Sequence, residues 1–143
     1  MPGSYFIDTA NEIVFSRGWG VVTDDELLGY ASALAADSRF RREFKQVAEF
    51  LDLTEIRLSS SGVMDLASRQ LFHRDARRAL VVGSEEAFGI LRMFETYNDS
   101  NPAQFRIVRT LDEAFAWVGL PPGSSWPAQV PDRTFGPGAN PTL

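Results

Sequence analysis

The chain reads as an α/β domain built on a mixed, mostly parallel sheet of four or five strands. Three observations carry that reading. Short apolar runs alternate with amphipathic stretches of helical period from Thr23 to Val118. The amphipathic stretches open on hydroxyl residues, which favour helix starts: Thr23, the serines before Val63, Ser84 and Thr110. The 143 residues, 44% of them hydrophobic, suffice for one domain with its own core.

Residues 5–8 and 12–17 read as two short strands joined by Thr9-Ala10-Asn11, with Gly18 and Gly20 breaking the second. Thr23 then starts a helix. Glu26, three residues on, completes a capping box in which each side chain satisfies a backbone N–H. Leu27, Leu28, Ala31, Leu34 and Ala35 form the apolar face, and Asp37-Ser38 ends the helix. Residues 39–44 are a polar connector whose two phenylalanines turn inward. Residues 46–53 form a nearly continuous apolar run, as expected of a central strand covered on both faces.

A second helix is expected over residues 63–73, with Val63, Leu66, Ala67 and Leu71 inward. Ala79-Leu80-Val81-Val82 is a strand ending at Gly83. Ser84 caps a third helix whose first turn carries Glu85 and Glu86, matching the helix dipole. Ala87, Ile90, Leu91 and Phe94 face the core. With Phe88, Met93 and Tyr97 they make this helix apolar almost all round, which suits a deeply buried helix or one covered by a partner. Residues 98–102 are a loop and 105–109 a strand. Thr110 and Glu113 form a second capping box for a short last helix with Leu111, Phe115 and Val118 inward.

The order β-β-α-β-α-β-α-β-α implies a hairpin at one end and parallel strands joined through helices. Residues 1–120 are thus read as the domain. Residues 121–143 carry six of the eight prolines and no amphipathic period, and read as a disordered tail or an extended strap.

Composition excludes several functions. A net charge of −5 gives no electrostatic attraction to nucleic acid. Without cysteine there are no disulfides and no thiolate metal sites. The single histidine, His73, falls at a helix end, where an imidazolium suits the dipole. No nucleophile–base pair and no metal set is legible, so the reading is non-enzymatic and without a cofactor. Gly18-Trp19-Gly20 is too short for a dinucleotide fingerprint and reads as a turn with a half-buried Trp. Arg39, Arg41 and Arg42, and Arg74, Arg77 and Arg78, read as solvated connector charge or as a local anion patch. No apolar run is long enough to span a bilayer and no leader pattern opens the chain, so the expected location is the cytoplasm.

The most informative stretch is Ser59-Ser60-Ser61-Gly62-Val63, between strand and helix. Serine hydroxyls and free N–H groups of a helix start share one surface spot there, and such a spot stabilises a phosphate or a carboxylate. Asp52 and Thr54 are secondary candidates. Asp52 is expected at the end of the central strand, where α/β ligands often bind. Its structural alternative is a hydrogen bond to a loop N–H.

The run from Phe50-Leu51-Asp52-Leu53-Thr54 to Ser60-Ser61-Gly62-Val63 resembles the central motif of STAS domains. That family includes bacterial anti-sigma factor antagonists, the cytoplasmic domains of sulfate transporters, and SpoIIAA-like proteins grouped with the SEC14 lipid-binding fold. Its pattern is an apolar strand ending in Leu-Asp-Leu-Ser, then Asp-Ser-Ser-Gly-Leu opening a helix. Arg78-Ala79-Leu80-Val81-Val82-Gly83, Phe105-Arg106-Ile107-Val108 and Leu111-Asp112-Glu113-Ala114-Phe115 are similar to its later strand, strand and helix.

The resemblance implies helices packed mainly on one face of the sheet. It also implies a non-catalytic, regulatory role of docking on a partner protein, of the serine-kinase or anti-sigma type, or self-association. In phosphorylated members the serine beside the glycine receives phosphate. Ser61 matches that serine, while Ser59 stands where the family has Asp. Ser61 is thus either a phosphate acceptor or simply a helix cap. The alternative function is a carrier of a lipid or other apolar small ligand. That would need a pocket of at least about 300 Å³ lined by side chains such as Phe88, Leu91 and Phe94.

Overall fold

Strand order in the sheet follows strand order in the chain. The computed structural model describes residues 3–97 and 102–128. Its elements are β1 (Gly3–Asp8), β2 (Ile13–Thr23), α1 (Asp24–Ala36), β3 (Lys45–Arg57), α2 (Ser60–Ser68), β4 (Arg78–Val82), α3 (Glu85–Tyr97), β5 (Phe105–Val108) and α4 (Leu111–Trp117), with a short 3-10 turn before β5. β1 and β2 form an antiparallel hairpin, and β2 to β5 run parallel.

Each parallel crossover steps one strand in the same direction. Crossovers of one hand that all step one way place their helices on one face of the sheet. Accordingly Leu34 of α1 packs with Tyr5, Ile7 and Val14, while Val63 and Ala67 of α2 and Phe94 of α3 pack with Ala48 and Leu80. After β5 no further crossover constrains the chain. α4 folds back on the opposite face, where Ala114, Phe115 and Val118 meet Ile13, Phe15, Val47, Ala79 and Val81. With both faces covered, all five residues of β4 are buried. The mixed, mostly parallel sheet is the architecture the sequence pattern implied, and helices mainly on one face are what the family resemblance implied.

Several boundaries differ from the sequence reading, each for a physical reason. Gly18-Trp19-Gly20 does not end β2; the strand passes through it to Thr23. The period is lost there because the β2–β3 ladder shifts register between Arg17 and Trp19 and again between Gly20 and Val21. Gly20 sits at φ 69°, a left-handed conformation that glycine takes at little cost. Trp19 is buried inside the strand rather than half-buried in a turn. β3 continues beside this longer β2 as far as Arg57.

α2 ends at Ser68, well before His73, and Gln70 takes φ 49°. The chain then turns so that Phe72 is buried, edge-on to Phe40 at 5.2 Å. The Thr23–Glu26 capping box forms in full. At Thr110 half of a box forms: its hydroxyl oxygen accepts the Glu113 N–H, and its proton goes to the Glu113 carboxylate. α3 buries only Ala87 and Phe94 completely, and Tyr97 is exposed.

The segment after α4 lies against the α4 face. Trp126 packs edge-on against Phe15 at 5.7 Å, and the Arg17 guanidinium stacks 4.4 Å from the centre of its ring. Beneath it Arg17 and Glu49 form a buried ion pair at 3.2 Å. Among the described residues the buried indole Nε1–H finds no hydrogen-bond partner, and neither does Ser4 Oγ. The remainder of the tail, 129–143, lies outside the described residues.

Two predictions follow from this packing. Trp126→Ala should lower unfolding free energy by about 2–4 kcal/mol, because it removes a large apolar contact and uncovers a buried ion pair. Trp126→Phe should cost far less, since the lost N–H had no partner. Urea titrations of both variants check this, and equal losses would refute it.

Asp37 accepts hydrogen bonds from the Tyr5 hydroxyl at 2.9 Å and from Arg39 Nε at 2.9 Å and Nη2 at 2.7 Å. The Arg39 side chain holds its carboxyl well below the usual carboxylate range. Burial, then the bond to Asp37, pushes the Tyr5 phenol up to about 12. A depressed carboxyl contributes stability that is complete above its unfolded pKa of about 4 and is lost as pH falls toward the folded value. Asp37→Asn should therefore cost roughly 1–2 kcal/mol at pH 7. The difference from the parent protein should narrow steadily from pH 4 to pH 2, measured as urea midpoints.

Candidate functional site

β3 ends at Arg57, and Leu58 and Ser59 lead directly into α2. Ser59 is the helix cap: its backbone is extended, and its Oγ accepts the Gly62 N–H at 3.0 Å. The sequence reading had Ser61 as the possible cap, so that assignment moves two residues back. Ser61 lies inside the first turn, exposed, with its Oγ 3.1 Å from Ser59 Oγ.

The helix start attracts an anion, as its free N–H groups require, and the chain supplies one itself. Asp24, the first residue of α1, accepts the Ser59 N–H at 3.0 Å on Oδ1 and the Ser59 hydroxyl at 2.6 Å on Oδ2. Since Ser59 gives its one proton to Asp24, the Ser61 hydroxyl donates to Ser59. Gly62 is explained by the same carboxylate. A Cβ there would fall 2.2 Å from Asp24 Oδ1. Arg69, just past the end of α2, adds a second tie to α1 through Ser32 Oγ at 3.0 Å.

In the sequence Asp24 carries no mark beyond that of an acid in the first turn of a helix, where the dipole favours it. The usable signal was an acid at the start of one helix and a serine cluster at the start of the next. Only the crossover geometry brings the two together.

The other candidates fall elsewhere. Asp52 does not end a strand; it lies inside β3, paired with Trp19. Thr54 sits at the second register shift, between Leu53 and Glu55, which pair with Gly20 and Val21. The side-chain hydrogen bonds of Ser59 and Ser61 run to Asp24, to Gly62 and to each other, not to Asp52 or Thr54. Ser60, Ser61, Met64, Asp65 and Ser68 are all exposed and form the outward side of α2, with Met64 49% exposed.

Beneath α1, α2 and α3 a cavity of about 70 Å³ is lined by Val63, Leu66, Leu80, Leu91 and Phe94, with Tyr30, Gln46 and Arg78 at its polar side. Smaller cavities of about 50 and 40 Å³ share its walls at Leu27 and Phe50. Leu91 and Phe94 line this space as the carrier reading expected, whereas Phe88 does not. The volume is well short of the roughly 300 Å³ that a drug-sized or lipid-like ligand needs.

Arg78 departs from the solvated-connector reading because it is the first residue of β4 and points under the helices; it is 8% exposed. Its Nε donates to Gln46 Oε1 at 2.9 Å, Gln46 Nε2 donates to the Tyr30 hydroxyl at 3.3 Å, and that hydroxyl bonds Ser16 Oγ. Burial lowers the Arg78 pKa to about 10 and raises that of Tyr30. Among the described residues no group of three or more His, Cys, Asp or Glu side chains is arranged to hold a metal ion. No helix there is long and apolar enough to cross a membrane.

No family model and no curated protein sequence matches the chain. Among solved structures it is similar to an uncharacterized protein from the DUF3478 family with a SpoIIAA-like fold, from Shewanella loihica PV-4. The two share 17% identity over 74% of this chain and 83% of that one, with a TM-score of 0.49.

The Asp24–Gly62 approach yields a double-mutant test. Gly62→Ala should destabilise the protein, by about 1–3 kcal/mol, although alanine is ordinarily the better helix residue. In an Asp24→Ala background the sign should reverse, with alanine at 62 gaining up to about 1 kcal/mol. Additive effects in the urea midpoints would refute the proposed clash.

Proposed function

We propose that this chain is a non-enzymatic, STAS-like regulatory domain that docks on a partner protein through the Ser59–Val63 turn and the outward side of α2. The observation that carries this reading is the pairing of a firmly anchored helix start with an exposed stripe. Asp24 fixes the turn through two hydrogen bonds to Ser59, while Ser60, Ser61 and the apolar Met64 face solvent beside it. A pre-organised surface of this kind lowers the ordering cost of association. The partner class suggested by the family resemblance is a serine kinase or anti-sigma-type protein.

Ser61 is the natural control point in this reading. A phosphate on it would place nearly two negative charges beside Ser59 and close to the Asp24 carboxylate. The two anions would compete for one helix N-terminus. Phosphorylation would thus alter the docking turn itself rather than merely add surface charge.

Site-specific photocrosslinking tests the reading. A crosslinker at Met64 should capture a discrete partner from cells of the source organism, and one at Thr96 on α3 should not. Ser61→Asp should abolish that capture with the fold intact. Ser61→Ala should preserve it and cost less than about 1 kcal/mol, because the cap is Ser59. Equal capture from both positions, or capture indifferent to Ser61→Asp, would refute the docking surface.

A further inference from the structure

Among the described residues Arg78 is a buried cation that meets no carboxylate. A guanidinium carries five N–H donors, and among the described residues the only hydrogen bond it makes is from Nε to Gln46. Its plane is covered by aromatic rings, Phe72 at 4.5 Å, Phe105 at 5.4 Å and Phe94 at 5.5 Å. No carboxylate among the described residues pairs with it. Buried cations ordinarily have an anionic partner, because an uncompensated charge in an apolar surrounding is costly. Arg17, on the opposite face of the same sheet, shows the ordinary solution in its pair with Glu49.

Arg78 also differs from a merely tolerated charge in its position. It borders the cavity of about 70 Å³, whose other walls are almost entirely apolar. Leu58, Leu66, Ile90 and Leu91 of that lining are half-buried rather than sealed, so the space is open to entry beside α2 and α3.

We propose that this cavity binds a short-chain carboxylate, its head paired with Arg78 and its hydrocarbon tail against Leu66, Leu80 and Leu91. Carboxylates match the guanidinium fork in two parallel hydrogen bonds, and the apolar walls favour a tail over a second charged group. Size sets the class. An apolar cavity of about 150 Å³ takes benzene, with six heavy atoms, so about half that volume takes about three, and the adjoining cavities of about 50 and 40 Å³ must hold the rest of the tail. A phosphate fits poorly, since it brings two charges and no apolar portion to a site with one cation. The site lies under the inner side of α2, through Val63 and Leu66, and uses none of the exposed residues Ser60, Ser61 and Met64 of the docking surface.

The experiment uses the purified full chain alone, with sodium butyrate as probe and 1-butanol and sodium chloride as controls at matched ionic strength. Methyl NMR resonances of Leu66, Leu80 and Leu91 should shift saturably with butyrate, and 1-butanol should bind at least tenfold more weakly. Arg78→Met should weaken butyrate binding at least tenfold while leaving 1-butanol unchanged. Because removal of Arg78 can perturb folding, Leu91→Phe provides a second test: it narrows the cavity, keeps the cation, and should weaken butyrate at least fivefold. Butyrate that gives no saturable shift, 1-butanol that binds equally well, or Leu91→Phe that binds butyrate undiminished would each overturn the proposal. No partner protein enters this measurement, so its failure would leave the docking reading to its own test.

Discussion

The three parallel crossovers move across the sheet in one direction, and most of the molecule's organisation descends from that constraint. Helices that return with one hand and one direction of travel must share a face. α1, α2 and α3 therefore lie side by side over β2, β3 and β4, and the start of α1 comes within hydrogen-bonding distance of the start of α2. The other face is left to the only helix without a crossover to complete. α4 and Trp126 cover it, burying Ile13, Phe15, Val47, Ala79 and Val81.

Placing two helix starts together creates an electrostatic problem, since both ends carry partial positive charge. Asp24 answers it for both. It sits in the first turn of its own helix, where a carboxylate is favoured, and it reaches across to Ser59 at the next. The cost appears at Gly62, where the carboxylate leaves no room for a side chain. Ser59 thereby works as cap, acceptor and donor at once, and Ser61 is left at the surface with a spare acceptor. The turn is thus tied by hydrogen bonds on its inner side and exposed on its outer side.

The two faces treat buried charge differently. On the α4 face Arg17 meets Glu49, and a tryptophan from beyond the helical domain closes over the pair. On the opposite face Arg78 is surrounded by rings and one amide, beside the cavity under the helices. Packing density alone does not explain that contrast, because a methionine of similar reach would fill the same volume without a desolvation cost.

The sequence by itself determined the elements and their order, because those depend on local chemistry. Threonine and serine caps, helical periods and short apolar runs act over a few residues, and they identified four helices and five strands in the right succession. It also singled out Ser59 to Gly62, where a serine cluster between strand and helix offers caps and free N–H groups at one spot. Register, pairing and burial were decided by tertiary structure. The two shifts in the β2–β3 ladder hid the length of β2 behind Gly18 and Gly20, and no local pattern encodes them. Asp24 looked like any first-turn acid until the crossovers set it against Ser59. Arg78 looked like one of a solvated trio with Arg74 and Arg77 until the sheet turned it inward while they remained exposed. In each case the deciding contact joins residues more than thirty positions apart, or depends on which face of a strand is covered. Local sequence carries no energy term for either.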